Sequence, residues 1–397
     1  MPEISVVIPT HNRRERLRAC LASLAAQTAE PSSFEVVVAV DGSADGTEDM
    51  LRTLETPFAL RVVVQPQSGQ SAAINAAVAA ATAPSILILD DDMIAAPELI
   101  AAHQRVQREQ GGVAGIGLIQ RRLPERIDSF ARYRARQWRA HYERLAARGA
   151  RARDCYGGNV SLPRATFVTV GGFATDFPVE KDTEFALRLA QEGLAFTYVP
   201  EAVATEDQRE DWREICRDAE ERGFQTVELY RRHPEILAES RLGGHEAVGA
   251  REAVLRRLLL ALRVPPAALA LVARGLPEKT ADRWFDFTYG LGYWRGVRRA
   301  AGRDLWLRLR RGTLVLAYHA VGAAGEEPSR YVVPERRLAA QLRWLARRGY
   351  RVLALEEYLR CRRASELPPP KSVVLTFDDG YRDNATLLAP LLERAGA

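Results

Sequence analysis

SILILDDDM (residues 85–93) sets three carboxylates, Asp90, Asp91 and Asp92, directly after a five-residue run that is apolar from Ile86 to Leu89. A run that short and that apolar is what a strand buried on both faces of a parallel sheet requires. Upstream the same rhythm recurs. EISVVIP (3–9) is a second short apolar run, closed by Pro9, and Leu17, Leu21 and Leu24 fall at helical spacing within 14–27. The spacing further predicts strand 34–40, helix 45–55, strand 60–65, helix 70–81 and helix 96–110. Strands alternating with helices of this length predict an α/β fold with a mostly parallel sheet and right-handed crossovers. Ligands on such sheets gather at the carboxyl ends of the strands. The polar residues just after Pro9, Val40 and Leu89 are therefore the informative ones.

Adjacent carboxylates at a strand end repel: a pair roughly 4 Å apart costs about 4 kcal/mol at an effective dielectric near ~20. A hard divalent cation offsets such a cluster of oxygen ligands, and it can also bridge the two phosphates of a nucleotide-sugar. Taken alone, the triplet reads equally well as a solvated acidic turn. The second strand is followed by Asp41–Gly42–Ser43–Ala44–Asp45–Gly46–Thr47. A carboxylate at Asp41 can accept from an N–H on a base edge, and Ser43 or Asp45 can cap the next helix. Thr10, His11 and Asn12 follow the first strand, with Arg13 and Arg14 beside them. Three loops thus bring base-reading, phosphate-facing and metal-binding groups to one rim.

The chain has 397 residues, which predicts two or three domains of roughly 100–200 residues each. A hydrophobic content of 47% with 27% charged residues argues against wholesale disorder. The formal charge is +5, but basic residues alternate with Glu and Asp along the chain. That pattern gives solvated helix faces and no nucleic-acid partner, while suiting anionic substrates. Cys20, Cys155, Cys216 and Cys361 form no CxxC pair, which fits a reducing compartment. The N-terminal apolar stretch precedes its basic cluster and reads as a first strand, not a signal peptide. Residues 254–273 are apolar, but Arg256, Arg257 and Arg263 would each cost about 2.5–3.5 kcal/mol at mid-bilayer. Pro265–Pro266 also interrupts any helix there. The segment does not span; an interfacial helix pair and packing on the catalytic domain both stay open. The expected location is cytoplasmic, either free or peripheral at the inner face of the membrane.

SVVIPTHNR (5–13), VVVAVDGSADGT (36–47), QSGQSAAINAAV (67–78), LILDDDM (87–93), GGNVSLPR (157–164) and GGFATDFPVEKDTEFALRLAQEG (171–193) together resemble the family 2 glycosyltransferases of GT-A fold, in order and spacing, over roughly the first 210 residues. The resemblance implies a metal-dependent inverting enzyme. It would move a sugar from a UDP-, dTDP- or GDP-linked donor to a saccharide or lipid-linked acceptor, as in exopolysaccharide or cell-envelope glycan synthesis. It implies that Asp41 contacts the base, that Thr10 lies against the nucleoside, and that Pro9, Asn12, Ser43, Asn75, Asp90 and Asp91 line the donor side. Asp90 and Asp92 become the ends of a DxD motif holding Mn²⁺ or Mg²⁺. Asp182 maps to the catalytic base, with a helix N-cap as its other reading; Gly157, Gly158, Asn159 and Glu180 map to the acceptor side. Lys181 stands where the family usually carries Glu, Val40 replaces the first Asp of Asp-Asp-Gly-Ser, Ile74 replaces a common Arg, and Thr205–Glu206 replaces a metal-binding His of some members. No QxxRW follows Asp182, so single-sugar addition is expected rather than processive synthesis.

LVLAYHAV (314–321) and VVLTFDDGYRDN (373–384) resemble the start of a polysaccharide deacetylase domain. That resemblance makes Asp378 a base and Asp379 a metal ligand. The two histidines such a site requires are not present as an HxxxH pair, so the expected barrel is incomplete, and His319 reads as structural. The expected organisation is a GT-A domain over 1–210, a helical extension over 211–311 and a truncated deacetylase-like domain over 312–397. The alternative function is deacetylation of N-acetyl sugars, with the N-terminal domain only binding sugar nucleotides.

Overall fold

The structure is a computed structural model describing residues 1–122, 128–206, 212–238, 240–242, 250–269, 272–273, 276–311, 313–322 and 331–395. It resolves into two compact units, Met1–Arg222 with Val264–Gly292, and Gly223–Arg263 with Tyr293–Ala397.

The first unit begins with the expected alternation: β1 (Ile4–Thr10), α1 (Arg14–Ala25), β2 (Phe34–Asp41), α2 (Thr47–Thr53), β3 (Ala59–Gln65), α3 (Gln70–Ala80) and β4 (Ser85–Leu89). It continues through β5 (Met93–Ala95), α4 (Leu99–Gln110), β6 (Val113–Arg121), α5 (Ser129–Arg148), β7 (Asn159–Pro163), α6 (Arg164–Thr169), α7 (Lys181–Gln191) and β8 (Ala195–Glu206). The eight strands form one sheet in the order β3-β2-β1-β4-β7-β6-β8-β5. Pairings among β1 to β4 are parallel, as is β6 with β8. β7 runs antiparallel to both β4 and β6, and β5 antiparallel to β8. The expected parallel sheet is thus a parallel half joined to a mixed half. The first residue of the helical extension expected over 211–311 lies outside the described residues.

Successive strand residues point to opposite faces, and both faces here are covered. On one face Val6, Ile8, Val36, Val38, Leu87 and Leu89 pack with Leu17, Leu21 and Leu24 of α1 and Leu99 of α4. On the other, Val7, Val37, Ile86 and Ile88 meet Ala73, Ile74, Ala77 and Val78 of α3 and the rings of Phe167, Phe173 and Phe185. That two-sided burial explains the unbroken apolar runs: each such side chain, fully buried, contributes about 1.5–3 kcal/mol. It also holds the carboxyl ends of β1, β2 and β4 rigidly side by side. A separate aromatic cluster in this unit packs Phe130 and Tyr133 of α5 against Trp212 and Phe285.

The remaining elements are α8 (Trp212–Arg232), α9 (Ala250–Ala261), α10 (Pro266–Leu269), α11 (Glu278–Arg311), β9 (Leu314–Tyr318), β10 (Ala320–Gly322), β11 (Val332–Pro334), α12 (Glu335–Arg347), β12 (Arg351–Val352), α13 (Leu355–Arg363), β13 (Ser372–Phe377) and α14 (Ala389–Ala395). Gly302 breaks α11, with φ 67°. Strands β12, β13 and β9 form a parallel three-stranded sheet. Val321 packs there with Leu338 and Leu342 of α12 and Leu388 and Leu391. The register pairs Tyr318 with Phe377, so His319 and Asp378 leave neighbouring strands at the same edge. Among the described residues no helix is long and apolar enough to cross a membrane.

Candidate active site

A cavity of about 370 Å³ opens where the carboxyl ends of β1, β2 and β4 meet, lined by Pro9, Thr10, His11, Arg13, Asp41, Gln70, Ala73, Asp90, Asp91, Asp92 and Glu206. The three rim loops predicted to converge do so. Their side chains, however, are already bonded to one another. Thr10 donates its hydroxyl hydrogen bond to Asp91 Oδ2 at 2.7 Å. The Arg13 guanidinium sits 3.0 Å from Asp91 Oδ1 and 3.1 Å from Asp92 Oδ2, and Arg16 lies 3.8 Å from Asp92. The sequence argument expected a cation to offset the triplet; Arg13 supplies part of that charge from within the chain. Burial would push the Arg13 guanidinium down, but Asp91, Asp92 and Asp90 outweigh it and hold it above its ordinary value.

Asp90 is held differently. Gln70 donates to its Oδ1 at 2.8 Å, and Gly158 passes close enough that a Cβ there would lie 2.8 Å from its Oδ2. Burial drives the Asp90 carboxyl up to about 7, opposed by Lys181 and reinforced by Asp92, Asp182 and Asp91. Asp41 carries a second task beside any base contact. Its Oδ1 accepts from the Ser68 N–H at 2.7 Å and Gln65 Nε2 at 2.8 Å, and its Oδ2 from the Gly69 N–H at 2.8 Å. Burial opposes this ionised form, but those donors prevail and keep the carboxyl below its usual range. Asn12, in the left-handed region at φ 52°, accepts from the Ala44 N–H at 2.7 Å and offers its own N–H to Ser43 Oγ at 3.0 Å. Asn12 and Ser43 therefore brace two loops together instead of lining the cavity.

Two of the expected site residues spend their side chains on the fold. Asn75, expected on the donor side, spends its amide on the backbone of Phe173, donating to its carbonyl at 2.9 Å and accepting its N–H at 2.8 Å. Asn159, expected on the acceptor side, is fully buried. Its amide meets His103 Nε2 at 2.9 Å and the Ala202 carbonyl at 2.9 Å, so it anchors β7 and shapes the site only through the backbone of Gly157 and Gly158.

Asp182 lies in the first turn of α7, which begins at Lys181 with Glu180 in the cap position. The N-cap alternative for Asp182 therefore falls. Its Oδ1 is buried without a hydrogen-bond partner and would lie 2.4 Å from a Cβ at Gly157. Asp182 and Asp90 thus press on successive glycines, whose Cα atoms are about 3.8 Å apart in any trans peptide. Glu180 is buried and paired with Arg222 at 3.0 Å. Arg188 clamps Glu184 at 2.6 Å and the Gly172 carbonyl at 2.7 Å, a structural duty. Sequence reasoning missed Gln70, which bonds Asp90, and noted Glu206 and Lys181 only as departures from the family; Glu206 stands in the cavity lining and the Lys181 ammonium lies 3.4 Å from Asp182 Oδ2.

Among the described residues no group of three or more His, Cys, Asp or Glu side chains forms a ready-made metal cage. The donors nonetheless fit a hard cation: Asp90, Asp92 and Glu206 all bring carboxylates to the cavity lining, and Mg²⁺-like ions are commonly held by one or two carboxylates plus substrate phosphates. Asp378 and Asp379 lie at the carboxyl end of β13 in the other unit, where Asp379 takes φ 67° and Asp378 donates its N–H to the Tyr318 carbonyl at 2.9 Å.

Residues 5–168 match the family described as glycosyl transferase family 2. Validoxylamine A glucosyltransferase of Streptomyces hygroscopicus subsp. limoneus is 31% identical over 267 residues, covering 60% of this chain and 58% of that protein. The chain therefore spans just over half the length of this relative. YxkH of Bacillus subtilis, which carries a polysaccharide-deacetylase designation, is 32% identical over 82 residues, 21% of this chain and 28% of that protein. Among solved structures, the mannosyltransferase PcManGT of Pyrobaculum calidifontis, in complex with GDP-Man and Mn²⁺, superposes with a TM-score of 0.53 at 22% identity, covering 75% of this chain and 87% of that one. That likeness bears on the fold: an α/β core with a mostly parallel sheet. The three loops that build the rim lie within residues 5–168, the stretch of this chain that is similar to glycosyl transferase family 2.

Proposed function

We propose that the chain transfers a single sugar, with inversion, from a nucleotide-sugar to a saccharide or lipid-linked acceptor, using Mn²⁺ or Mg²⁺. The observation that carries this reading is the pair of carboxylates on successive glycines: Asp90 on the cavity side at Gly158, and Asp182 at Gly157 with a bare buried oxygen. In this reading Asp41, Thr10 and Pro9 face the nucleoside, and the Asp182 carboxylate takes the proton of the acceptor hydroxyl. As that hydroxyl oxygen bonds to the anomeric carbon, the bond from this carbon to the diphosphate breaks and its electron pair leaves with the nucleoside diphosphate. Asp90 and Asp92, with Glu206 beside them, would hold the cation, which neutralises diphosphate charge when bound. The mannosyltransferase solved with GDP-Man and Mn²⁺ supports the donor class. Residues 1–210 would form this domain, 211–311 a helical extension, and 312–397 a deacetylase-like unit. The expected setting is the cytoplasm or the inner membrane face, within cell-envelope glycan synthesis.

The test is a thermal-shift panel of UDP-glucose, UDP-GlcNAc, dTDP-glucose and GDP-mannose with Mn²⁺, followed by hydrolysis of the stabilising donor. Asp182→Asn should lower turnover by about 10²-fold or more while nucleotide binding persists. Unchanged turnover would remove Asp182 as base, and unchanged nucleotide binding in Asp92→Ala would remove the metal role. A second reading, deacetylation of N-acetyl sugars, draws on Asp378, Asp379 and the similarity to YxkH; acetate release from chitooligosaccharides would favour it.

A further inference from the structure

Lys181 stands where the family usually places a carboxylate, and the transfer reading above leaves it without a task. Its side chain is only 13% exposed. A buried ammonium is costly unless it is paired, and this one has two partners. Asp182 Oδ2 lies 3.4 Å away. Asp90 acts on it from the donor side: burial would push the ammonium down, but Asp182 and Asp90 together hold it above its ordinary value. The influence is mutual, since Lys181 is the largest force opposing the rise of the Asp90 carboxyl.

The geometry around Asp182 shows what this charge does. One carboxylate oxygen, Oδ1, is buried against Gly157 with no hydrogen-bond partner. The other faces Lys181. The terminal torsion of an Asp side chain is broad, so a carboxylate with one bare oxygen keeps its orientation only if the second oxygen is held. Asp90 and Asp182 flank successive glycines, so a positive charge at position 181 suits this pair of carboxylates and a Glu there would add a third like charge. Nearby, Arg222 pairs with Glu180 at 3.0 Å.

We propose that Lys181 is a positioning residue for the transfer: its ammonium, 3.4 Å from Asp182 Oδ2, fixes the orientation of the Asp182 carboxylate for the acceptor hydroxyl. This rests on Asp182 being the base, and the experiment separates the two claims. Hydrolysis of the donor that stabilises the protein, with water standing in for the acceptor, is measured for wild type, Lys181→Gln, Lys181→Arg, Asp182→Asn and the Lys181→Gln/Asp182→Asn double variant. Binding of the matching nucleoside diphosphate with Mn²⁺ is measured by calorimetry. Lys181→Gln should lower kcat roughly 10- to 100-fold while donor KM and the nucleoside diphosphate Kd move less than about 3-fold. Lys181→Arg should recover most of the loss. In the Asp182→Asn background the glutamine change should cost less than about 3-fold, because the two residues act as one unit. Should Lys181→Gln destabilise the fold, Lys181→Met, which keeps the packed stem, is expected to give the same kcat loss in a folded protein. The proposal is overturned if Asp182→Asn is inactive yet Lys181→Gln keeps its kcat, or if nucleotide binding falls in step with kcat, which would make Lys181 a donor contact. Full turnover by Asp182→Asn would instead remove the base assignment, and the proposal with it.

Discussion

Replacing each of the two glycines just before β7, Gly157 and Gly158, with alanine should produce two different defects from adjacent positions. Neither Gly157 nor Gly158 has φ in the left-handed region, so alanine strains no backbone torsion there. The cost lies in contact alone. At Gly157 the new Cβ would stand 2.4 Å from Asp182 Oδ1 and 3.2 Å from its Cγ, where ordinary contact begins at 3.4 Å. The carboxylate must therefore move by about 1 Å, a displacement of the size that costs on the order of 10²-fold in rate, or about 2.7 kcal/mol of barrier. At Gly158 the Cβ would meet Asp90 Oδ2 at 2.8 Å and Met93 Cε at 3.0 Å. Met93 can adapt, so the shift falls mainly on Asp90, which lines the cavity. Gly157→Ala should thus lower kcat of donor hydrolysis by about 30- to 100-fold with nucleoside diphosphate Kd nearly unchanged. Gly158→Ala should weaken Mn²⁺-dependent nucleotide binding by about 10-fold or more, about 1.4 kcal/mol, with the smaller effect on kcat. Calorimetry with UDP and Mn²⁺, paired with steady-state hydrolysis on the same preparations, separates the two. If both variants lose binding and rate in the same proportion, Asp90 and Asp182 do not divide the cleft as argued.

Two further outcomes follow from the charges. His103 is fully buried between Ser161 and Asn159, and burial lowers its imidazole to about 4 against a small opposing effect of Asn159. Its proton binds the unfolded chain more readily, so stability should be complete above about pH 6.5 and decline as pH falls toward 4, by roughly 3 kcal/mol in total. His103→Gln should flatten that limb in urea titrations between pH 7 and 4.5, and an unchanged slope would show that other groups govern it. Because Arg13 and Lys181 already neutralise part of the acidic cluster, EDTA should leave the Tm of the nucleotide-free protein unchanged. EDTA should abolish the stabilisation given by a nucleoside diphosphate with Mn²⁺, about 2.7 kcal/mol at a hundredfold excess over Kd; a Tm drop without nucleotide would reveal a resident metal instead.

The parallel half of the sheet was legible because β1, β2 and β4 are buried on both faces, and two-sided burial writes itself into sequence as an unbroken apolar run. The mixed half was not. β7 holds the buried polar residues Asn159 and Ser161, which His103 satisfies from α4, so its strand character is masked by a network that only folding assembles. β8 mixes exposed and buried positions along its twelve residues and shifts register against β6 at Gly117–Leu118, which blurs any alternation. Asn75 hides its packing role for a related reason. A polar residue inside a matched motif reads as a ligand contact, whereas its amide here closes a pair of hydrogen bonds to Phe173 across 98 positions of sequence.

The acidic triplet shows where reasoning from charge along the chain stops. Counting carboxylates predicts a missing cation, and the prediction has the right sign but the wrong resolution. Asp91 and Asp92 are answered by Arg13 from the loop after β1, and Asp90 by Lys181 from the start of α7, two sources separated by more than 160 residues. On the proposed reading, a metal answers the charge added when a diphosphate enters, not the charge of the empty rim. A site built this way would bind its cation weakly alone and well with nucleotide, because Arg13 competes for the same oxygens until phosphate offers it others. The Lys at 181, where the family usually carries Glu, then belongs to the same economy of charge: on the proposed reading it sets a cation beside the base and opposes the rise of the donor-side Asp90 carboxyl.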